Sequence, residues 1–250
     1  MSPSAAPPVL YEKSEPGVAW ITLNRPHALN AINLAMRDEL WTYLQAAQVD
    51  PDVRVLCFRG ASPRAFSAGA DVTEFGTAPS ILAARRARHE RDLWALLEDF
   101  PVITIAALHG FCFGAGIELP LYCDFRIAAP DTLIALPEVT LGYIPSAGGT
   151  QMLPRLAPPG VALGLILSGD QIDAPRALAW GLINRIVPRD ELDDAVSTLA
   201  RRLAGRDVET MRLAKRALRR GLDLPLDDAI ALDAAAARRH RALTPSAPRD

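Results

Sequence analysis

The nineteen residues Pro101–Leu119, PVITIAALHGFCFGAGIEL, restrict the fold of this chain more than any other stretch. The first eight are a near-continuous apolar run, as expected of a strand covered on both faces. Three glycines, Gly110, Gly114 and Gly116, then punctuate a turn. One ionisable group, Glu118, follows among apolar neighbours. A lone buried carboxylate is costly unless it is paired or its pKa moves. Either the segment is a surface loop, or Glu118 has a task.

The rest of the chain supplies partners for such a strand. Val18–Leu23 (VAWITL) and Val53–Gly60 (VRVLCFRG) read as strands, and FRIAA and LIAL as two short ones around the turn at Pro130–Asp131. Asn33 can cap a helix whose apolar positions Leu40, Trp41 and Leu44 recur at helical spacing. A second helix is expected between Pro79 and Asp99, and ASPRAFSAGADV reads as a loop. Beyond Gly149 helices dominate: Val161–Ser168, Ala174–Trp180, Leu192–Leu203 and Val208–Arg220. Strands alternating with helices over the first part, then helices, indicate an α/β fold. The helix Val208–Arg220 reads as amphipathic, with Met211, Ala214 and Leu218 on one face and Arg212, Lys215, Arg216 and Arg219 elsewhere. Trp20, Trp41, Trp94 and Trp180 are expected in the core or at a subunit interface. Asp71 and Asp124 are expected to cap or to pair with arginines.

Composition excludes several classes. Lys+Arg 27 against Asp+Glu 29 leaves a net charge of −2, without the basic excess of a dedicated nucleic-acid binder. Three cysteines without C-x-x-C spacing, in apolar surroundings, suit buried reduced thiols. No stretch reaches about 18 uninterrupted apolar residues, so no membrane span is expected. The N-terminal MSPSAAPPVL reads as a short flexible arm without a signal sequence, and TPSAPRD at the other end as disordered. The expected setting is cytoplasmic.

Familiar motifs fail. GFCFGAG is G-x-x-x-G-x-G, not the dinucleotide G-x-G-x-x-G, and no G-x-x-x-x-G-K-[ST] occurs. Ser146, in YIPSAGG, has Ile144 where a nucleophile elbow requires glycine. The four histidines lack zinc-ligand spacing, so no metal is expected.

Two features remain. Small-residue turns that close a strand and open a helix leave free N–H groups pointing outward, and such donors stabilise a developing oxyanion. GAGIEL is one such turn; AFSAGADV (Ala65–Val72) is another. Two carboxylates, Glu118 and Glu138, lie in apolar settings near glycine-rich turns. They fit general acid/base work with raised pKa values. Surface carboxylates or partners of arginines would give the same pattern.

Taken together, NRPHALNAI, AFSAGADV, HGFCFGAGIEL and LPEVTLGYIPSAGGTQ strongly resemble, in order and spacing, the enoyl-CoA hydratase/isomerase, or crotonase, superfamily, over roughly Val18 to Ala217. The resemblance implies a spiral of ββα units over residues 1–190, with a CoA-thioester site. It implies a C-terminal helical trimerisation region over 191–250. It also implies an acyl-CoA substrate, a homotrimer or dimer of trimers, and no cofactor, coenzyme A being part of the substrate.

The same resemblance assigns residues. The backbone N–H groups of Ala70 and Ala115 match the oxyanion hole, with Ala115 replacing the usual glycine. Glu118 and Glu138 match the hydratase pair: Glu118 is the base on water, and Glu138 delivers a proton to the α carbon. Ser146 matches a water-contacting backbone position, commonly glycine. Arg25 and His27 fall where CoA phosphates are met, Ala68 where adenine is met. Gly114 and Asp71, in the two turns, are expected with Arg25, His27, Ala68 and Ser146 among the residues that bind the CoA substrate. Both glutamates together favour hydration of a 2-enoyl-CoA. A double-bond isomerase or specialised hydratase/lyase is the alternative within the superfamily. A non-catalytic scaffold or RNA binder using the arginine-rich helices is the alternative outside it. Hydratases usually carry a charged C-terminal extension over a neighbouring active site; this chain, stopping at RRHRALTPSAPRD, is expected to lack it.

Overall fold

The computed structural model describes residues 6–80, 82 and 90–243. Residues 81 and 83–89 of the helix expected between Pro79 and Asp99, and the expected disorder of TPSAPRD, lie outside the described residues; the end of that expected helix is seen as Leu93–Glu98.

Each strand–strand unit divides itself between two sheets. The larger sheet has the order β1 (Val9–Glu15), β2 (Gly17–Leu23), β3 (Val53–Gly60), β5 (Ile103–Leu108), β7 (Phe125–Ala128), β10 (Arg185–Ile186). The smaller runs β4 (Ala65–Ser67), β6 (Phe111–Phe113), β8 (Leu133–Ala135), β9 (Ile172–Asp173). Thus β3/β4, β5/β6 and β7/β8 each place their first strand in one sheet and their second in the other. This is the ββα spiral. All pairs are parallel except β1 with β2 and β8 with β9.

The central strands are buried on both faces, as their apolar runs require. In β2, Ala19, Ile21 and Leu23 enter the main core, while Val18 and Trp20 face the other way. In β3, Leu56 and Phe58 face the main core, and Val55 and Cys57 the second. The main core is closed by α1 (Leu34–Val49), capped by Asn33 through a bond from the Met36 amide at 2.9 Å, and by α2 (Leu93–Glu98). The second is closed by α7 (Leu192–Ala204) through Leu192, Val196, Ala200 and Ala204. Cys57, Cys112 and Cys123 are buried free thiols; burial pushes Cys123 up to about 12 and the other two higher.

Several sequence readings are corrected. Val9 and Leu10 do not belong to a flexible arm: they open β1, an edge strand whose exposed residues include the charged Glu12 and Lys13. Ala65–Ser67 is a strand rather than loop, and Leu226–Leu243 forms a further helix, α9, on α8 (Val208–Gly221). The inward side of α8 is not Met211, Ala214 and Leu218, since Ala214 and Leu218 are exposed. Met211 packs on the second core, and Lys215 and Arg219 reach the Asp124 carboxylate at 2.7 and 2.9 Å. A basic side turned inward is tolerated because Asp124 and the carbonyls of Val102, Glu98 and Tyr122 accept its protons. Among the described residues no helix is long and apolar enough to cross a membrane.

Candidate active site

The smaller sheet arranges the site. Ala70 follows β4 by three residues, Ala115 follows β6 by two, and Glu138 follows β8 by three. These strands are parallel neighbours, with Ala65 opposite Phe111 and Phe113 opposite Ala135. The three positions therefore emerge side by side at one sheet end, where open α/β folds bind ligands.

The two small-residue turns touch. A methyl group on Gly69 would stand 3.6 Å from the Ala115 nitrogen, and one on Gly114 would stand 3.9 Å from Gly69 Cα. Gly114 caps α3 (Ala115–Leu121) at φ 49°, ψ −128°, a conformation essentially reserved for glycine. Ala115 is the first residue of that helix, so its N–H lacks an intrahelical partner. Ala70 lies in a parallel bridge with Ile32, in which Ile32 donates to Gly69 O (2.7 Å) and Asp71 to Ile32 O (3.0 Å). That pattern leaves the Ala70 amide outside the ladder, on an exposed residue.

Asn30, which sequence reasoning missed, holds the first turn. Fully buried at φ 55°, it donates from Nδ2 to the carbonyls of Ala65 and Phe66 (3.1 and 3.0 Å). Its carbonyl accepts from Ser67 Oγ at 2.8 Å. Asparagine's tolerance of left-handed backbone was the available signal. Arg25 adds a clamp, its Nη1 meeting Asp71 Oδ2 at 2.8 Å and Ala31 O at 2.7 Å. The Thr73 hydroxyl, and after it Arg25, hold the Asp71 carboxyl below its ordinary pKa. His27 is exposed on a short 3-10 turn, and Ala68 donates to Leu29 O at 3.0 Å.

The two carboxylates are carried by different elements, the helix Ala115–Leu121 and the 3-10 turn Pro137–Leu141. Glu118, 2% exposed, sits in the first turn of α3; its Oε1 accepts from the amides of Ala147 (3.0 Å) and Gly149 (2.7 Å). These amides open α4 (Gly149–Leu156), so the carboxylate also meets the positive end of a helix. Glu138 opens the 3-10 turn Pro137–Leu141 and points to Gly114: a methyl there would stand 2.8 Å from its Oε1. Its Oε2 is buried with no hydrogen-bond partner among the described residues, and burial raises its pKa. Ser146 is exposed on the loop between them. The result is one carboxylate held by two amides and another, its pKa raised by burial, set against the turn that opens Ala115–Leu121.

A sequence model described as "Enoyl-CoA hydratase/isomerase" matches residues 13–242. The chain belongs to the enoyl-CoA hydratase/isomerase family. A "Crotonyl-CoA hydratase" from Syntrophomonas wolfei is 36% identical over 226 residues, covering 90% of this chain and 86% of that protein. A "2,3-dehydroadipyl-CoA hydratase" from Escherichia coli is 38% identical over 214 residues, 86% of this chain and 83% of its own. The crystal structure of an enoyl-CoA hydratase from Bacillus anthracis superposes with a TM-score of 0.87 at 35% identity, covering 92% of this chain and 90% of that one. In this member of the family, Ala115 is the first residue of the helix that carries Glu118.

Proposed function

We propose that the protein is an enoyl-CoA hydratase that adds water syn across the double bond of a 2-enoyl-CoA. The observation that supports this reading is the pairing of Glu118, held by the Ala147 and Gly149 amides, with Glu138, seated against Gly114 beside the turns of Ala70 and Ala115. The two backbone amides receive the thioester oxygen. Each such donor contributes about 3–4 kcal/mol to stabilising the enolate. Glu118, oriented by Ala147 and Gly149, takes a proton from water as its oxygen attacks the β carbon. Glu138, whose carboxyl pKa is raised by burial, gives its proton to the α carbon. The cycle closes when Glu118 releases its proton to solvent and Glu138 takes one up, so the net reaction is addition of one water.

CoA recognition follows the family pattern near Ala68, Arg25 and His27, with Ser146 beside the water. Exposed Leu163, Leu167, Leu226 and Ile230 support assembly into a trimer or dimer of trimers. The scaffold alternative is weakened because Lys215 and Arg219 are engaged by Asp124. The test is a panel of 2-enoyl-CoA esters of increasing chain length, followed by loss of enone absorbance. Turnover is expected for at least one; none at any length, or 3-enoyl to 2-enoyl conversion without net hydration, would refute the reading.

A further inference from the structure

Tyr122, the residue closing α3, stands one helical turn after Glu118. Residues four apart share a helix face, and both side chains of this pair run to the same loop. Glu118 takes the amides on either side of Gly148. Tyr122 takes Gly148 itself: a methyl group there would stand 1.9 Å from the phenol oxygen and 2.8 Å from Cζ. The phenol thus occupies the space where any other residue would place its Cβ. Gly148 also has φ 102°, a backbone state that L side chains rarely adopt.

The phenol is itself held. Its ring stacks on Trp94, with centroids 6.1 Å apart. Its backbone carbonyl accepts from Arg219, which also reaches Asp124 Oδ1 at 2.9 Å. Tyr122 is 7% exposed, and burial, followed by the charge of Glu118, pushes its hydroxyl up to about 12.

From these contacts we infer that Tyr122 is a positioning residue: its phenol oxygen wedges the Ala147–Gly149 loop and thereby sets the direction of the Glu118 carboxylate. The kinetic consequence rests on the hydratase reading; the wedge does not. Phenylalanine keeps the ring and its stack but ends one oxygen short of Gly148. Leucine removes the wedge.

The test pairs hydrogen–deuterium exchange of the peptide spanning residues 145–153 with steady-state hydration kinetics, in the full-length protein. Tyr122→Phe is expected to speed exchange in that peptide and lower kcat about tenfold at unchanged KM, because a misdirected catalytic group loses rate steeply. Tyr122→Leu is expected to lose about a hundredfold. Gly148→Ala collides with the phenol, and adding Tyr122→Leu is expected to recover part of its loss, a coupling that independent sites do not show. A merely structural tyrosine would lower the unfolding temperature without separating kcat from KM. Unchanged exchange and unchanged kcat in Tyr122→Phe would overturn the inference, as would a rise in KM alone. If the Leu variant does not fold, the Phe variant decides. If the unaltered protein hydrates no enoyl-CoA while Tyr122→Phe still loosens the loop, the hydratase reading falls and the wedge stands.

Discussion

The Glu138 carboxylate rests against Gly114, so close that a methyl group on the glycine would stand 2.8 Å from Oε1. The contact joins the carboxylate proposed as proton donor to the turn that opens the helix at Ala115. Gly114 also has φ 49°, so a side chain there is strained twice. Gly114→Ala is expected to cost about 1–3 kcal/mol of stability from backbone strain and about a hundredfold in kcat from displacement of Glu138. Urea unfolding and hydration kinetics on the same variant check both.

Glu138→Gln separates stability from activity. Burial raises the native pKa of Glu138, so between the unfolded and native values the native state binds more protons than the unfolded state. That contribution to stability falls as pH rises through this window, and the cost remains above it. The glutamine variant is therefore expected to unfold at a higher temperature than the parent around neutral pH, with the difference vanishing in acid. Its hydration rate is expected to fall by about 10²–10⁴-fold, the contribution of a general acid. Melting curves across pH, beside kcat, measure this.

Arg25 is a support of the Ala70 turn as well as a residue near the expected phosphate region. Because its guanidinium meets Asp71 and Ala31 O, Arg25→Met is expected to lower kcat more than it raises KM for the CoA ester. A dominant KM effect that grows at low salt would instead mark direct phosphate binding. The Asp71 carboxyl is held low, so its contribution is present above the ordinary carboxylate pKa and lost as pH falls through the native one. The parent's extra stability over Asp71→Asn is expected to disappear in strong acid.

Much of this architecture was legible because it rests on burial. The apolar run Ile103–Leu108 announces a strand covered on both faces, and Val53–Gly60 was legible as a second strand. The second sheet was less visible. Strands of three residues, such as Ala65–Ser67 and Phe111–Phe113, are too short for periodicity to register. β1 was hidden by a preceding Pro-Pro and by the charges that protect an edge. In the site, the resemblance assigned roles to Glu118, Glu138, Ala70 and Ala115. It did not reveal Asn30, the Ala147 and Gly149 amides, or Tyr122 on Gly148, because those contacts join segments distant in sequence. α8 was misread for a related reason: Lys215 and Arg219 look like a solvated face until Asp124 is placed beneath them.

Asp124 tests that buried network. It accepts from Lys215, Arg219 and the Thr104 amide and hydroxyl. Lys215 has only 7% of its side chain exposed. Asp124→Asn leaves two cations without a counter-charge and is expected to destabilise by about 3–5 kcal/mol. Asp223→Asn, removing an exposed ion pair with Arg155, is expected to change stability by at most about 1 kcal/mol. Urea midpoints of the two variants give the comparison directly.

The most direct test of the central claim is the hydration rate of crotonyl-CoA by Glu118→Gln, Glu138→Gln and the double variant. Glutamine at 118 keeps an oxygen for the Ala147 and Gly149 amides, so the loop is expected to stay in place. If the two carboxylates act as one unit on one water, each single variant loses nearly as much rate as the double. A single variant that retained the parent's rate, or losses that simply multiplied in the double, would contradict the account.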